Sequence, residues 1–442
     1  MTRFEDASGG ERIALRQGGR VWTESAFRAL VADAGVGAGV GTDDGAGAGS
    51  AASAPASGAA QITLITDADP VAAVVRSLAV RDAGGVPVIG DDRWDDAYRA
   101  TVTASVEALG SQPGAAWATL SSGSTGAPRV IVRSEASWAD SFDAVGGLVD
   151  LSADDTVYVP ASLVSSMSVF SIVHARAVGA TVLLPSGRGV SGGDLAHATV
   201  LHGTPQALRS LVELAEAGVP HRVRAALIGG AHLDAPLRSR AEALGISVVA
   251  YYGAAELSFV AVDRSGDGLV AFPGVELRVL DRVLHVRSPY FAFGYPGAVH
   301  GAFERDDDGW GTVGDLVDGD GITTPLRLLG RRDGAILTAA ATVIPEDVEA
   351  ALRGIDGIDE VVVIGIPQAR IGALVGAVLE IPADRAVPRL EQLVSDAKLR
   401  LTSSHLPRRW YWTHELPRTG SGKVARAEIS RAVLDGEVAR LE

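Results

Sequence analysis

Apolar and polar positions alternate in blocks along most of the chain from Gln61 onward. Short, almost wholly apolar runs precede longer segments whose apolar residues recur with helical spacing. This pattern predicts strand, helix and strand twice, in ITLIT, VAAVVRSLAVRDAG and VPVIG and again in RAALIGG, LRSRAEALG and SVVAYYG. Strands so apolar must be covered on both faces. The pattern therefore predicts a layered α/β sheet.

The pattern changes after Gly330. Helices are predicted at PEDVEAALRG and LEQLVSDAKLRL, and strands at DEVVVIGIP and VGAVLEIP. This mixture indicates a small α+β domain. We therefore predict a large N-terminal α/β domain over residues 1–330 and a C-terminal domain over residues 331–442.

The N-terminal segment from Arg12 to Gly35 is predicted to form a strand, a turn and a helix. Thr23 is placed to cap the helix, and its predicted apolar face consists of Phe27, Leu30 and Val31. Residues 35–59 are then mostly Gly, Ala, Ser and Val. Their glycines lack the G-x-G-x-x-G spacing of a dinucleotide-binding loop. The composition therefore favours a flexible linker.

Composition narrows the possible functions. The 442-residue chain has no cysteine, which excludes disulfides, thiolate metal sites and a cysteine nucleophile. With 54 acidic and 39 basic residues its net charge is −15, which argues against a general nucleic-acid-binding surface. The N-terminal residues lack the apolar core of a signal peptide, and His174 and Arg176 interrupt the apolar stretch 163–185. We therefore expect a cytoplasmic protein without a membrane span.

The segment TLSSGSTGAPR, from Thr119 to Arg129, carries the strongest chemical signal. Its glycines allow backbone N–H groups to converge on an anion. Its hydroxyl groups add donors, and Arg129 adds positive charge. The segment is not a P-loop, which requires G-x-x-x-x-G-K-[ST], and by itself it is also typical of a solvated turn. A phosphate-binding role therefore depends on the rest of the chain.

Four further segments follow in order: YYGAAE at Tyr251 to Glu256, GWGTVGD at Gly309 to Asp315, GRRDGAILTAAATVIPEDVE at Gly330 to Glu349, and PRTGSGKVAR at Pro417 to Arg426. From about Arg12 to the C-terminus, these segments and the serine-rich loop resemble the adenylate-forming superfamily of acyl-CoA synthetases, nonribosomal peptide synthetase adenylation domains and luciferases. The resemblance implies a large N-terminal domain and a small mobile C-terminal domain. It also implies ATP, Mg²⁺ and CoA: a carboxylate attacks the α-phosphate of ATP, and a thiol then displaces AMP.

The resemblance assigns a role to each motif. It implies that Glu256 holds Mg²⁺, that Lys423 stabilises charge at the α-phosphate, and that Asp333 is the hinge. The implied ATP-binding residues are Ser121, Ser122, Gly123, Ser124, Thr125, Gly126, Arg129, Tyr252, Gly253, Asp315 and Arg331. Of these, Tyr252 stacks on adenine and Asp315 accepts the ribose hydroxyls. Outside such motifs, Tyr252, Glu256 and Lys423 would be typical of a rim aromatic, a solvated acid and an exposed cation.

Several positions depart from the family pattern. Arg129 stands where lysine is usual, and Ala255 and Val313 stand where threonines are usual. Ala340 replaces a glycine beside the expected path of the pantetheine arm of CoA. A lost phosphate hydrogen bond costs about 0.5–1.5 kcal/mol. We therefore expect a slower enzyme but not an inactive one.

The acyl pocket is implied to lie near Ser165, at the turn formed by Gly229, Gly230 and Ala231, and at Tyr251. Around Ser165 no basic residue is available to pair with a second carboxylate. This favours an aliphatic, fatty or simple aryl acid. Among family members the chain is most similar to short bacterial fatty acyl-CoA synthetases and to o-succinylbenzoate–CoA ligases.

Three functions remain open from the sequence. The first is an AMP-forming acid–CoA ligase, with o-succinylbenzoate as one alternative acid. The second is a stand-alone adenylating enzyme that loads an acyl carrier protein. The third is a weakened paralogue with a binding or regulatory role, which Ala255 and Ala340 would favour. The expected partners are a small carboxylic acid, ATP and CoA, without nucleic acid.

Overall fold

A computed structural model describes residues 11–37, 60–91, 94, 96–120, 129–187, 189–230, 233–297, 303–331, 336–338, 341–343, 345–358, 360–368, 372–417 and 426–441. The strands up to the second sheet are β1 (Ile13–Gln17), β2 (Arg20–Thr23), β3 (Ile62–Ile65), β4 (Val86–Ile89), β5 (Trp117–Leu120), β6 (Val130–Arg133), β7 (Thr156–Tyr158), β8 (Thr181–Leu184), β9 (Val200–Gly203), β10 (Ala225–Ile228), β11 (Ser247–Ala254), β12 (Ser258–Asp263) and β13 (Val270–Ala271). The helices of this part are α1 (Glu24–Gly37), α2 (Pro70–Asp82), α3 (Asp96–Glu107), α4 (Ala136–Ala139), α5 (Phe142–Gly146), α6 (Ser166–Val178), α7 (Gly192–Leu195), α8 (Pro205–Glu216) and α9 (Ala235–Ala243).

The remaining elements lie between residues 276 and 440. The strands are β14 (Glu276–Leu280), β15 (Val283–Arg287), β16 (Glu304–Arg305), β17 (Gly311–Thr312), β18 (Asp315–Asp318), β19 (Arg327–Arg331), β20 (Ile336–Leu337), β21 (Thr342–Val343), β22 (Glu360–Gln368), β23 (Gly372–Glu380), β24 (Arg409–Thr413) and β25 (Ala439–Arg440). The helices are α10 (Pro345–Arg353), α11 (Leu390–Lys398) and α12 (Arg426–Leu434).

The main sheet has the strand order β13-β12-β11-β10-β9-β7-β8-β1-β2. Its central strands, from β11 to β1, are parallel, and the outer strands on both sides are antiparallel. Every residue of β8, β9 and β10 is buried. Helix α6 packs against β8 and β9, whereas α8 and α9 pack against β9, β10 and β11. The predicted α/β sheet covered on both faces is thus confirmed.

Helix caps fix where the chain leaves the ends of these strands. The Thr204 hydroxyl accepts a hydrogen bond from the N–H of Ala207 (3.4 Å), and Pro205 occupies the first position of α8. The Asp234 carboxylate accepts from the N–H of Leu237 (2.8 Å) in the same way at α9. Such caps satisfy N–H groups that have no intrahelical partner. Both helices therefore start just beyond the carboxyl ends of β9 and β10.

The N-terminal segment corrects three details of the sequence prediction. It forms a two-stranded hairpin before the helix, because the chain turns at Gly18, whose φ is +54°. Phe27 and Val31 are buried as predicted, but Leu30 is exposed. Helix α1 also continues to Gly37, so the predicted linker does not begin at residue 35. Its residues 38–59 lie outside the described residues.

A second, antiparallel sheet carries the GWGTVGD segment. Its order is β16-β17-β15-β18-β19, with β14 paired to β15. The registers pair Val286 with Gly311 and Asp315 with Arg331. Asp315 therefore begins β18, an internal strand of this sheet, and is paired with Arg331 on β19.

The C-terminal part forms a separate sheet, β22-β23-β24-β25, in which β24 is parallel to β23. Helices α10 and α12 both pack against β22, and the sheet has its own apolar clusters on both faces. The predicted small α+β domain is confirmed, whereas its boundary at residue 331 stays a prediction. In the described part of the chain, no helix is long and apolar enough to cross a membrane.

Candidate active site

The tip of the β11–β12 hairpin carries the predicted magnesium ligand. The hairpin turns tightly after Gly253, where an added Cβ would lie 2.2 Å from the carbonyl oxygen of Ser258. Ser258 itself adopts a φ of +62°, which is uncommon for a residue with a side chain. Only glycine fits at position 253, because this close backbone approach leaves no space for a side chain. The tip thereby projects Glu256 toward β6 and the segment 290–295.

The Glu256 side chain is buried, with 6% of its surface exposed. The hydroxyl of Tyr295 donates a hydrogen bond to Glu256 Oε1 (2.6 Å), and the N–H of Ala292 donates to the Glu256 carbonyl (2.8 Å). Burial and the neighbouring Glu256 charge raise the pKa of Tyr295, and Arg129 acts in the opposite direction. The phenol therefore remains a proton donor at neutral pH. Arg129 is thus near enough to Tyr295 to act on its hydroxyl electrostatically.

Arg133 braces the same hairpin tip from β6. Its guanidinium donates to the carbonyl oxygens of Ala255 (2.5 Å) and Tyr290 (3.4 Å) and lies 4.9 Å from the centre of the Trp138 ring. Burial lowers the pKa of Arg133 to about 9, and the Glu256 charge opposes this shift. The side chain is therefore still positively charged at neutral pH. It supplies a buried cation that orients the backbone beside Glu256.

Two predicted nucleotide-binding residues are in direct contact. The hydroxyl of Tyr252, on β11, donates a hydrogen bond to Asp315 Oδ2, on β18. Both side chains are buried. The register of β18 and β19 places Arg331 opposite Asp315, as expected if both residues serve the same part of a nucleotide. This contact joins the main sheet to the second sheet.

The described residues of the predicted acyl pocket lie near the carboxyl ends of the parallel strands. Gly229 and Gly230 follow β10, and Gly230 has a φ of +80°. An added Cβ at Gly229 would lie 2.3 Å from Cζ of Tyr251, so the Tyr251 ring covers this glycine directly. Ser165 occupies the N-cap position of α6 in extended conformation, without a capping hydrogen bond from its side chain, and is half-buried. The described residues therefore hold these positions near one edge of the sheet, where open α/β sheets bind their ligands.

A buried polar group beside Tyr251 was missed from the sequence. The Tyr251 hydroxyl lies 3.0 Å from Nε2 of His202, and Nδ1 of His202 lies 2.6 Å from Oγ of Ser171. Burial lowers the pKa of His202 to about 3, so its ring is neutral. Sequence signals did exist, because His202 in VLHG and Arg133 in VIVR are the ionisable residues of otherwise apolar strands. Such residues require buried partners.

Part of the predicted site lies outside the described residues. These residues are Ser121, Ser122, Gly123, Ser124, Thr125 and Gly126 of the serine-rich loop, together with Ala231, Asp333, Ala340 and Lys423. Their assigned roles stay predictions. The same holds for the side chain of Arg331, of which only the backbone is described.

The described donors suit a magnesium ion bound together with phosphates. Within the described ranges, no group of three or more His, Asp or Glu side chains could hold a metal. Mg²⁺ commonly binds through one or two carboxylates together with substrate phosphates. The buried carboxylate of Glu256 fits that pattern. The fit requires phosphate oxygens to complete the coordination.

Comparison with known proteins identifies the family. The model of the AMP-binding enzyme family matches residues 21–295, more than half of the chain, and the model of its C-terminal domain matches residues 347–423. The chain is 27% identical over 338 residues to the uncharacterized acyl–CoA ligase YhfT of Bacillus subtilis, which covers 71% of this chain and 67% of that ligase. It is 35% identical over 234 residues to a probable 2-succinylbenzoate–CoA ligase of Mycobacterium tuberculosis, which covers 51% of this chain and 58% of that ligase.

The fold is also found in solved structures. The o-succinylbenzoate CoA synthetase of Bacillus subtilis, solved as a double mutant with a product analogue, superposes with a TM-score of 0.75 at 20% identity. The match covers 98% of this chain and 97% of that structure. The shared fold has a large N-terminal domain and a small C-terminal domain, as predicted. Because the family model matches more than half of its residues, the chain belongs to the AMP-binding enzyme family.

Proposed function

We propose that the protein is an AMP-forming acid–CoA ligase. The acid carboxylate attacks the α-phosphate of ATP to give an acyl-adenylate and pyrophosphate. The CoA thiol then attacks the acyl carbon, and AMP leaves. The relatives named as CoA ligases support this activity. We further propose a cytoplasmic location and a domain boundary between residues 330 and 331.

The proposal depends mainly on the hydrogen bond between Tyr252 and Asp315. Tyr252 directly follows Tyr251 on strand β11. Tyr251 covers the glycine pair proposed to receive the acid, whereas Tyr252 reaches the carboxylate proposed to receive ribose. Neighbouring residues of a β-strand point to opposite faces. Strand β11 therefore separates an acid-binding side from a nucleotide-binding side. Such a division brings a carboxylate close to an α-phosphate, which is the main requirement for phosphoryl and nucleotidyl transfer.

The residues around Glu256 would neutralise phosphate charge. In this proposal Arg129 binds phosphate oxygens, and bound Mg²⁺ would neutralise the charge that develops on them. Tyr295 and Arg133 hold the carboxylate and the hairpin tip in place. The serine-rich loop from Ser121 to Gly126 would bind the β- and γ-phosphates, and Lys423 would stabilise the α-phosphate in the transition state.

The proposed thioester step depends on the C-terminal domain. Asp333 is the proposed hinge on which this domain turns between the two half-reactions. Ala340 lies on the proposed path of the pantetheine arm of CoA. An acyl carrier protein presents the same arm, so the acceptor must be tested separately from the acid.

The decisive experiment is ATP–pyrophosphate exchange with a panel of carboxylic acids, followed by addition of CoA. We expect exchange with at least one acid and CoA-dependent release of AMP. Adenylate formation without AMP release on adding CoA would instead favour a carrier protein as acceptor. Failure of every acid to support exchange would overturn the ligase proposal.

Two aspartates of β18 provide a matched test of the nucleotide side. Asp315 is buried against Tyr252, whereas Asp318 is exposed at the other end of the same strand. A hydrogen bond to a charged group contributes roughly 1.5–3 kcal/mol. We therefore expect Asp315→Asn to raise the KM for ATP roughly tenfold or more, and Asp318→Asn to leave it unchanged. Equal effects of both substitutions would remove Asp315 from nucleotide binding.

A further inference from the structure

Tyr251 occupies space that a substrate would otherwise fill. Tyr251 and Gly229 are neighbours across β10 and β11, since the register pairs Ile228 with Ala250. The phenol ring leans over Gly229 so closely that even a methyl group there would overlap it. A glycine at position 229 thus makes room for the side chain of Tyr251. The space over Gly229, just after β10, is therefore occupied by the Tyr251 ring.

Hydrogen bonds fix the direction in which the Tyr251 ring points. The Ser171 hydroxyl donates to the carbonyl oxygen of Met167 (2.7 Å), so its oxygen is left to accept from Nδ1–H of His202 (2.6 Å). Nε2 of His202 is then unprotonated and accepts from the Tyr251 hydroxyl (3.0 Å). Each donor in this network, namely the Ser171 hydroxyl, the His202 Nδ1–H and the Tyr251 hydroxyl, thus has one acceptor. A buried network satisfied in this way holds its members in a single arrangement.

Aromatic packing supports the same position. The Tyr251 ring lies 4.6 Å from the ring of Phe259 and 5.7 Å from that of His202, measured between centroids. Behind His202 is a small internal cavity, and its lining includes Ser171, His174, His202, Val157, Val200 and Leu227. His202 contacts Tyr251 on one side and this cavity on the other. Tyr251 and His202 thus lie between Gly229 and this cavity.

We propose that Tyr251, held by His202 and Ser171, forms the floor of the acid-binding pocket and restricts the enzyme to short carboxylic acids. The inference rests on the proposed function and narrows its substrate class. A long alkyl chain that enters beside Gly229 meets the phenol ring. The ring therefore blocks its path toward His202. Tyr251 is therefore the residue that determines acid length.

Tyr251→Ala tests the proposal by removing the floor. In the wild type, we expect kcat/KM in pyrophosphate exchange to be roughly tenfold or more lower for octanoate than for butyrate. In Tyr251→Ala, kcat/KM for octanoate should rise about fourfold for each methylene that enters the space left by the ring. The KM for ATP should change little, because Tyr251 faces away from Asp315. Tyr251→Leu provides a second, less disruptive enlargement if the alanine variant does not fold.

Binding of non-reacting analogues separates this inference from the activity itself. Acetyl-sulfamoyladenosine and octanoyl-sulfamoyladenosine mimic the acyl-adenylate, and calorimetry measures their Kd without turnover. The octanoyl analogue should bind roughly tenfold more tightly to Tyr251→Ala than to wild type, whereas the acetyl analogue should not. If this shift in Kd appears without any pyrophosphate exchange, the inference about Tyr251 is supported and the ligase proposal fails.

A double-mutant cycle tests the role of His202 as a positioning residue. Tyr251→Phe and His202→Leu each break the same hydrogen bond, so each should relax the length limit, and the double variant should add little. Tyr158→Phe is the matched control, because its hydroxyl also donates to a buried partner, Asp194 (3.1 Å), but within another apolar cluster. It should leave the length profile unchanged.

Three results would contradict the proposal that Tyr251 limits the length of the acid. One is a wild-type enzyme that activates octanoate as well as butyrate. Another is a folded Tyr251→Ala or Tyr251→Leu protein whose length profile and analogue affinities match those of wild type. The third is full additivity of Tyr251→Phe and His202→Leu, which would show that the hydrogen bond does not position the ring.

Discussion

Lowering the pH from about 7 to about 5 should destabilise the N-terminal domain through two buried histidines. Burial lowers the pKa of His174 to about 4 and that of His202 to about 3, whereas an unfolded histidine has a pKa of about 6.5. Below about pH 6.5 the unfolded chain therefore binds protons that the folded chain does not. Stability is then lost as the pH falls, by about 1.4 kcal/mol per unit for each histidine. At about pH 5 the loss is about 2 kcal/mol from each, or about 4 kcal/mol together.

The loss of stability caused by the histidines occurs at a higher pH than the loss caused by ion-paired carboxylates. The Arg176 guanidinium holds the pKa of Glu24 at about 2. The stability from that ion pair is complete above about pH 4.5 and is lost only as the pH falls toward about 2. Carboxylates of this kind therefore do not account for a loss between about pH 6.5 and 5.

Urea unfolding at the two pH values measures the effect. Trp117 and Trp138 are buried with ring centroids 5.7 Å apart, so tryptophan fluorescence reports on this core. His174→Phe should reduce the pH-dependent loss by about 2 kcal/mol, because Nε2 of His174 has no hydrogen-bond partner among the described residues and a phenyl ring does not titrate. His197→Gln, at an exposed position, should behave as wild type. An unchanged pH dependence in His174→Phe would refute the reasoning.

Four further outcomes are expected. Lys423→Ala should slow pyrophosphate exchange by orders of magnitude while leaving the Kd for ATP, measured by calorimetry, nearly unchanged, because the proposed role of its cation is in the transition state. Deletion of residues 40–56 should leave Tm and turnover nearly unchanged, because loop-closure entropy depends weakly on length; a large fall in Tm would contradict the linker. Asp333→Pro should preserve exchange and suppress acyl-CoA formation, and equal loss of both would contradict the hinge. Arg133→Met should lower the free energy of unfolding by about 3 kcal/mol, since it removes three buried hydrogen bonds, and Arg133→Lys should recover part of it in the same urea titration.

Local pattern was sufficient to predict the main elements of the fold. Strands β3, β4 and β10 are largely apolar runs of four residues, and a run so short is typical of a strand because a helix needs a longer one. The limits of α1 were harder to predict, because Gly35 favours a helix end locally yet lies within the helix. Spacing alone places Leu30 on the buried face of α1, yet the side chain is exposed. Spacing does not reveal how wide a face the neighbouring elements cover.

Contacts between distant segments explain what the sequence could not predict at the site. The motif residue Glu256 was identifiable, but its partner Tyr295 and the brace from Arg133 depend on how β6 and residues 290–295 pack around the hairpin. Tyr251 was predicted to line the acyl pocket because of its motif. That its ring fills the space over Gly229 follows from the strand register.

The same contacts bear on Ala255, which stands where the family resemblance leads us to expect threonine. The carbonyl oxygen of Ala255 accepts from Arg133, and the carbonyl of the following Glu256 accepts from the N–H of Ala292. Backbone contacts therefore hold the hairpin tip, and a hydroxyl on residue 255 is not needed to form it. The absence of that hydroxyl removes one donor for a ligand while the Glu256 carboxylate keeps its position. In the proposed function, alanine at position 255 thus reduces the hydrogen bonds available to phosphate but leaves the described backbone around Glu256 in place, which favours an active ligase over a protein that has lost its catalytic geometry.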